Sequence, residues 1–279
     1  MSNDADAYCA EQVRRFDRER WLTTWFAPAA ARPGLLALYA FNVEVARIRE
    51  LVREPAAGFV RLQWWREAIE GIATARTRDH PVVAALAAAQ ARHGVPPGDF
   101  EAILTARESD LSDQPPADFA ALQAYAAGTS GALTRLALGI LGAPAATDVG
   151  TQIGIAWAIT GLLRAVPVHA AQRRLFLPRD LLGQHAVDPE TLFAGRPEGG
   201  LARVAEILVR RAAEYLAVAR SGRTAVSRAA VPALLPATIA DVHLRRIERA
   251  RFALFDPRLQ RPLGSTAARL VVAAVRGCY

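Results

Sequence analysis

The stretch Gln152 to Leu182, QIGIAWAITGLLRAVPVHAAQRRLFLPRDLL, decides how the rest of the chain is read. It opens with an apolar run, Ile153 to Leu163, with Trp157 inside it, and then meets Arg164, Pro167 and His169. A basic pair, Arg173 and Arg174, leads into the FLP segment at Phe176 to Pro178. A helix that is apolar on every side offers no face to water and is buried in the middle of a fold. The pattern predicts a central helix over about Thr147 to Val166, whose C-terminal end delivers Arg164 and His169 to a cavity or surface.

Toward the N-terminus, Val13, Phe16, Arg20 and Thr24 recur at roughly helical spacing and predict a helix from Asp4 to Phe26, stopped at Pro28. Pro33 suits a first helical turn and opens LLALYAFNVEVARIREL, rich in strong helix formers. Pro55 and Gly58 are expected to break that helix before another at Phe59 to Ile72. His80-Pro81 opens a fourth, with Val82, Val83 and Leu86 as its apolar face. Phe100, Ile103, Leu104 and Leu111 then form an amphipathic stripe. Pro115-Pro116 separates it from Phe119 to Tyr125. Thr129 and Ser130, between Gly128 and Gly131, are N-cap candidates for a helix to about Leu141. Beyond the central stretch, Leu201, Val204, Leu208 and Tyr215 mark a long amphipathic helix, followed by Pro232 to Phe252 and Leu263 to Val275. No strand-like alternation of useful length and no internal repeat is present. The expected fold class is all-α, with about ten helices around one core.

The chain has 279 residues, 52% of them hydrophobic, and no linker-like segment divides it, so one domain over residues 1–279 is expected. All 34 basic residues are Arg. Arg stays protonated, which excludes Schiff-base and general-base amine chemistry. Net charge is +7 and unevenly spread: from Leu201 to Tyr279 there are 14 Arg against 5 acidic residues. A basic C-terminal third suits an anionic membrane surface or an acidic protein partner. Zinc-finger spacing, RNA-recognition signatures and aromatic-basic interleaving are missing, so no nucleic-acid partner is expected. Cys9 and Cys278 make no disulfide or metal-ligand framework, which suits a reducing cytoplasm. The N-terminus is polar and acidic, unlike a targeting sequence. No uninterrupted apolar run approaches the ~20 residues that span a bilayer. The expected location is cytoplasmic, with a peripheral position on the inner membrane left open.

Four sets of residues, in order along the chain, resemble motifs of the squalene/phytoene synthase family. They are Leu38-Tyr39-Ala40-Phe41; Arg61-Leu62 with Trp65-Arg66; Tyr125 with Gly128 and Gly131; and Leu163-Arg164 followed by Arg174 and Leu177-Pro178. The resemblance implies an isoprenoid-synthase-like helical bundle around a central cavity, in a family that joins two prenyl diphosphates head to head. It also implies two aspartate-rich motifs. Carboxylates at i and i+4 share one helical face and hold Mg²⁺, a hard cation that wants oxygen ligands and acts as a Lewis acid on the departing diphosphate. Here the first motif aligns with Ala46, Arg47 and Glu50, and the second with Ala165 and His169. Only Glu50 among these is a carboxylate. Asp110 matches a family acidic position on another helix but does not rebuild both clusters. No catalytic residue, metal or cofactor is therefore expected; Mg²⁺ belongs only to a prenyltransferase reading.

Within that family, AFNVE (Ala40 to Glu44), LRAVPVH (Leu163 to His169) and FALFDPRLQ (Phe252 to Gln260) are similar to one branch. It is the branch containing mitochondrial complex I assembly factor 6, which is regarded as non-catalytic. The resemblance implies a scaffold role in maturation of NADH:ubiquinone oxidoreductase, with complex I subunits or other assembly factors as partners, in a bacterial counterpart. Two alternatives stand beside it: an active head-to-head prenyltransferase, and an isoprenoid or lipid binder without turnover.

Arg47, Arg164, His169, Arg173 and Arg174 are the candidate anion or partner pocket, since guanidinium groups bind phosphate with bidentate geometry. The competing assignment is internal pairing, for instance Arg47 with Glu50 or Glu44. His169 reads as a metal ligand, proton carrier or anion contact, or as a satisfied structural group. Without a second His or Cys nearby, zinc is disfavoured. Trp64 and Trp65 read as core packing, and Gly150 to Gly161 lacks a phosphate-loop pattern.

Overall fold

The computed structural model describes residues 2–197 and 199–279, and among these there is no β-strand. The first half consists of α1 (Ser2–Phe16), α2 (Arg18–Thr24), α3 (Arg32–Ala46), α4 (Ile48–Leu51), α5 (Pro55–Ala73), α6 (Pro81–His93) and α7 (Gly98–Glu108). Then come α8 (Phe119–Ala126), α9 (Ala132–Ile140) and α10 (Thr147–Ala171), followed by the short α11 (Arg179–Gln184) and α12 (Pro189–Phe193). The C-terminal third comprises α13 (Gly199–Ser221), α14 (Val231–Leu234), α15 (Pro236–Arg249) and α16 (Thr266–Arg276). The all-α expectation holds.

α10 is the central helix. It is packed by α9 and by α13 and α15, and its Ile153, Ile159 and Leu163 are fully buried. Each such side chain contributes about 1.5–3 kcal/mol relative to exposure. By length and composition alone, Pro144–Ala171 would also suffice to cross a membrane, although Arg164 interrupts its apolar run. Here it is core, with Arg164 toward its C-terminal end.

That helix runs further than its sequence suggests. Pro167 was the expected stop, yet the helix continues through it to Ala171. Proline removes one intrahelical hydrogen bond and crowds the carbonyl four residues earlier. Burial of Val166 and Ala170 on either side holds the turn together, and Gln260 Nε2 donates to the Arg164 carbonyl at 3.1 Å. Arg173 follows with φ +56°. There the Arg174 N–H reaches back to the His169 carbonyl, closing a left-handed C-cap of the kind glycine usually fills.

Other boundaries differ for physical reasons. The expected Asp4–Phe26 helix is two, because the Asp17 side chain accepts from the Arg20 N–H and caps α2. The expected break is present, since α4 ends at Leu51, but the next helix starts at Pro55 and not Phe59, as suits a residue without an N–H at a first turn. Gly58 lies inside α5, where a Cβ would run into the Leu111 side chain. The helix over residues 33–51 divides at Arg47 into α3 and α4. Pro236 splits the expected Pro232–Phe252 helix into α14 and α15. Thr129 and Ser130 cap nothing: α8 passes into α9 through a π turn, Ala127–Gly131, and the Thr129 hydroxyl donates to the Tyr125 carbonyl at 2.7 Å.

α10 crosses this π turn at Gly154. A Cβ there would lie 2.5 Å from the Ser130 carbonyl oxygen and 2.6 Å from Gly131 Cα. Both neighbours are backbone and cannot yield without moving a helix. Gly154→Ala is therefore expected to lower unfolding free energy by about 2 kcal/mol or more. Urea denaturation checks this; an unchanged midpoint would show that the crossing is loose.

Candidate functional site

The positions that align with the two motifs lie at the end of α3, in α4, and in the last turns of α10. In the first set, Ala46 and Glu50 are not on one unbroken helix, since α3 ends at Ala46. Arg47 lies over the Phe16 ring, 3.8 Å from its centroid, and its Nε is 3.5 Å from Glu50. Glu50 itself is half exposed. In the second set, Ala165 and His169 do share a helical face, because α10 continues past Pro167. The His169 ring packs against Phe176 with centroids 4.6 Å apart. Burial pushes its pKa down to about 4, and the nearby Arg174 charge adds to this. His169 is thus a neutral imidazole near pH 7.

The Mg²⁺ chemistry implied by the resemblance does not fit these residues. Ala46 and Ala165 bring no donor atom, Arg47 brings a positive charge, and the one carboxylate is already paired with it. Asp110 is also engaged. It is 6% exposed, and Arg107 Nη1 donates to its Oδ2 at 3.0 Å and to the Tyr125 hydroxyl at 2.8 Å. Tyr125 in turn donates to Asp110 Oδ1 at 2.9 Å. Burial raises the Tyr125 pKa, so the phenol keeps its proton. Arg174 Nη2 donates to the Asp110 backbone carbonyl at 2.7 Å, and its guanidinium lies over Phe176. A cavity of about 210 Å³ opens beside this group, with Tyr125, Arg174 and Phe176 on its wall.

The remaining pocket candidates have partners of their own. Arg164 Nη1 donates to Glu19 Oε2 at 2.9 Å. The other Glu19 oxygen lies 2.8 Å from His243 Nε2, on α15, and His243 is 4% exposed. Burial pushes Glu19 up, but the His243 hydrogen bond and the Arg164 charge outweigh it and hold the carboxyl below its ordinary range. Burial lowers His243 despite the Glu19 hydrogen bond. The pair is a carboxylate accepting from a neutral imidazole. Arg173 donates to Glu190 at 2.7 Å and lies over Phe193. The left-handed turn at Arg173 sends the two adjacent arginines to different partners. The structure brings His169 and Arg174 together on Phe176, while Arg47, Arg164 and Arg173 each have their own counter-ion.

The interior between α3 and α10 holds a further charge. Arg20 is 7% exposed and lies 5.8 Å from the Tyr39 ring centroid and 5.4 Å from that of Trp157. Its Nη1 donates to Asp17 at 2.8 Å. A guanidinium close to two aromatic rings thus lies in the interior of the bundle. Glu19, Arg20 and His243 were not singled out from sequence. Arg20 nevertheless stands in the Val13-Phe16-Arg20-Thr24 stripe, and His243 falls with Ile239, Ala240, Leu244 and Ile247 on one helical face. A charged group on an apolar stripe was the available signal.

Two outcomes follow for the isolated protein. Asp110→Ala leaves Arg107 buried without its counter-ion and is expected to cost about 3 kcal/mol in urea unfolding; a loss near zero would mean that water replaces the carboxylate. The folded pKa values of His169 and His243 lie below the ordinary 6.5. Their stabilisation is present above pH 6.5 and is lost as pH falls, because the unfolded state takes up protons first. For His169 the window runs from 6.5 to about 4. Lowering pH through it should destabilise the fold by on the order of 2 kcal/mol after solvent screening, and His169→Gln should flatten the dependence.

The squalene/phytoene synthase family profile matches residues 13–265. The chain is 33% identical over 262 residues to Bos taurus NADH dehydrogenase (ubiquinone) complex I, assembly factor 6, covering 93% of this chain and 79% of that protein. It is 31% identical over 198 residues to the presqualene diphosphate synthase of Rhodopseudomonas palustris, covering 69% of each. A crystal structure of a dehydrosqualene synthase in complex with ligand superposes with a TM-score of 0.84 at 18% identity, covering 99% of this chain and 96% of that one. With the family profile spanning most of its length and the helical frame shared, this chain belongs to the squalene/phytoene synthase family.

Proposed function

We propose that the chain is a non-catalytic member of its family that serves as an assembly factor or scaffold for respiratory complex I in a bacterial cell. The observation that carries this reading is the state of the former motifs. Ala46, Arg47, Ala165 and His169 stand where four carboxylates would bind metal, and Arg164 is committed to Glu19. Losing several ligands that stabilise a departing diphosphate together removes enough barrier reduction to end turnover. The likeness to the assembly factor 6 proteins, carried across nine-tenths of the chain, supports the role. Complex I subunits or other assembly factors are the partners this reading calls for, at the membrane that holds the complex.

An isoprenoid or lipid held without turnover is compatible with the scaffold, but Arg20 between Tyr39 and Trp157 places a charge inside the bundle, which disfavours a long apolar guest there. An active prenyltransferase is the reading most opposed by the donor set.

Deleting the gene in its own host and resolving membranes on native gels tests the role. Loss of assembled complex I and of NADH:quinone activity, restored by the wild-type gene, is expected; normal assembly in the deletion strain overturns the proposal. Purified protein given prenyl diphosphates and Mg²⁺ should release no diphosphate. Mg²⁺-dependent release would overturn the non-catalytic assignment.

A further inference from the structure

α16 has apolar residues on both sides. Its inner side, Leu270 and Ala273, packs in a small cluster with Val231, Leu235 and Ile239. Its outer side is formed by Val271, Val272 and Val275, the last of them 71% exposed, with Ala267 and Ala268 beside them. Trp25, at the C-terminal end of α2, extends this surface: it is 58% exposed and borders Ala267 and Val271 across a shallow cleft of about 200 Å³. An exposed run of valines next to an exposed tryptophan is not explained by packing within the fold.

The charge of the segment that carries this surface has one sign. Residues 257–279 contain four arginines and no acidic residue. Arg269 and Arg276 are seven positions apart and so lie along one edge of α16. At its C-terminal end, Arg223 Nη1 is 3.8 Å from Cys278 Sγ. An apolar helical face, an arginine edge and a neighbouring tryptophan are the components of a helix that lies in the plane of a bilayer interface. Tryptophan settles at the headgroup level, and arginine is drawn to anionic lipid.

We propose that the outer face of α16, together with Trp25, docks on a bilayer surface bearing anionic headgroups. The face is a convex helix carrying small β-branched side chains, which suits a fluid boundary better than a protein pocket built around buried anchors. A second copy is a poorer occupant, because pairing two α16 faces crowds arginine edges of like charge. This surface goes beyond the complex I reading and is tested without complex I, so either can fail alone.

The experiment is flotation of the purified full chain with phosphatidylcholine vesicles, with and without phosphatidylglycerol. Binding is expected only with the anionic lipid and should fall as salt rises. Val271→Ser combined with Val275→Ser, and Arg269→Glu combined with Arg276→Glu, should each weaken it by roughly tenfold or more. Both pairs of sites are exposed, and unchanged far-UV circular dichroism will show that the fold is kept. A blue shift in tryptophan emission on binding should disappear in Trp25→Phe. No flotation, equal flotation with neutral vesicles, or flotation unaffected by the valine substitutions overturns the proposal. So does a result in which these valines instead hold a soluble partner or a second copy while vesicles are ignored.

Discussion

The backbone of α10 meets the backbone of the π turn at Gly154, where a single methyl group would not fit. This close crossing sets the depth at which the central helix lies, and hence what its later turns can reach. Just under one turn on, Trp157 is placed against Arg20; further along, Arg164 meets Glu19 and His169 meets Phe176. The π turn supplies the extra residue that lets α8 and α9 run as one path while keeping Gly131 at the contact. Such insertions concentrate where a helix must accommodate something other than its own hydrogen-bond ladder.

Around that crossing, the region of the candidate residues is organised by internal ion pairs. Buried pairs add little net stability, because desolvation offsets most of their attraction. Removing one partner is costly for the same reason. A set of mutually dependent polar groups, such as Arg107, Asp110 and Tyr125, therefore acts less as a source of stability than as a condition on which arrangements are allowed. Guanidinium groups with fixed counter-ions are also poorly prepared to receive an external anion, since the bound carboxylate must first be displaced. Chemistry on diphosphates needs the reverse: charges held ready and unsatisfied until substrate arrives.

Much of the fold was legible in the chain because helix periodicity is local. The stripes Phe100-Ile103-Leu104 and Leu201-Val204-Leu208 became buried faces as expected. The failures fell where backbone rules met tertiary context. Pro55 could be read as a breaker or a starter, and only the path of α4 decides. Pro167 breaks an isolated helix, but not one buried on both sides of it and tied to Gln260. At the site, the candidate residues themselves were readable position by position. The pairing of Arg164 with Glu19 was not, because it joins residues 145 positions apart and depends on how α2 is seated against α10. Arg173 and Arg174 looked like a single basic feature; a left-handed turn between them is invisible to composition.

The seven residues of α2 touch more of the protein than their length suggests. Glu19 grips α10 and α15, Arg20 enters the interior, and Trp25 at the C-terminal end faces outward. A helix this short has no stability of its own, so its contacts with α10 and α15 keep it folded. The outside of the molecule and the end of α10 that carries Arg164 thereby meet in one short segment. The exposed indole stands six positions from the carboxylate.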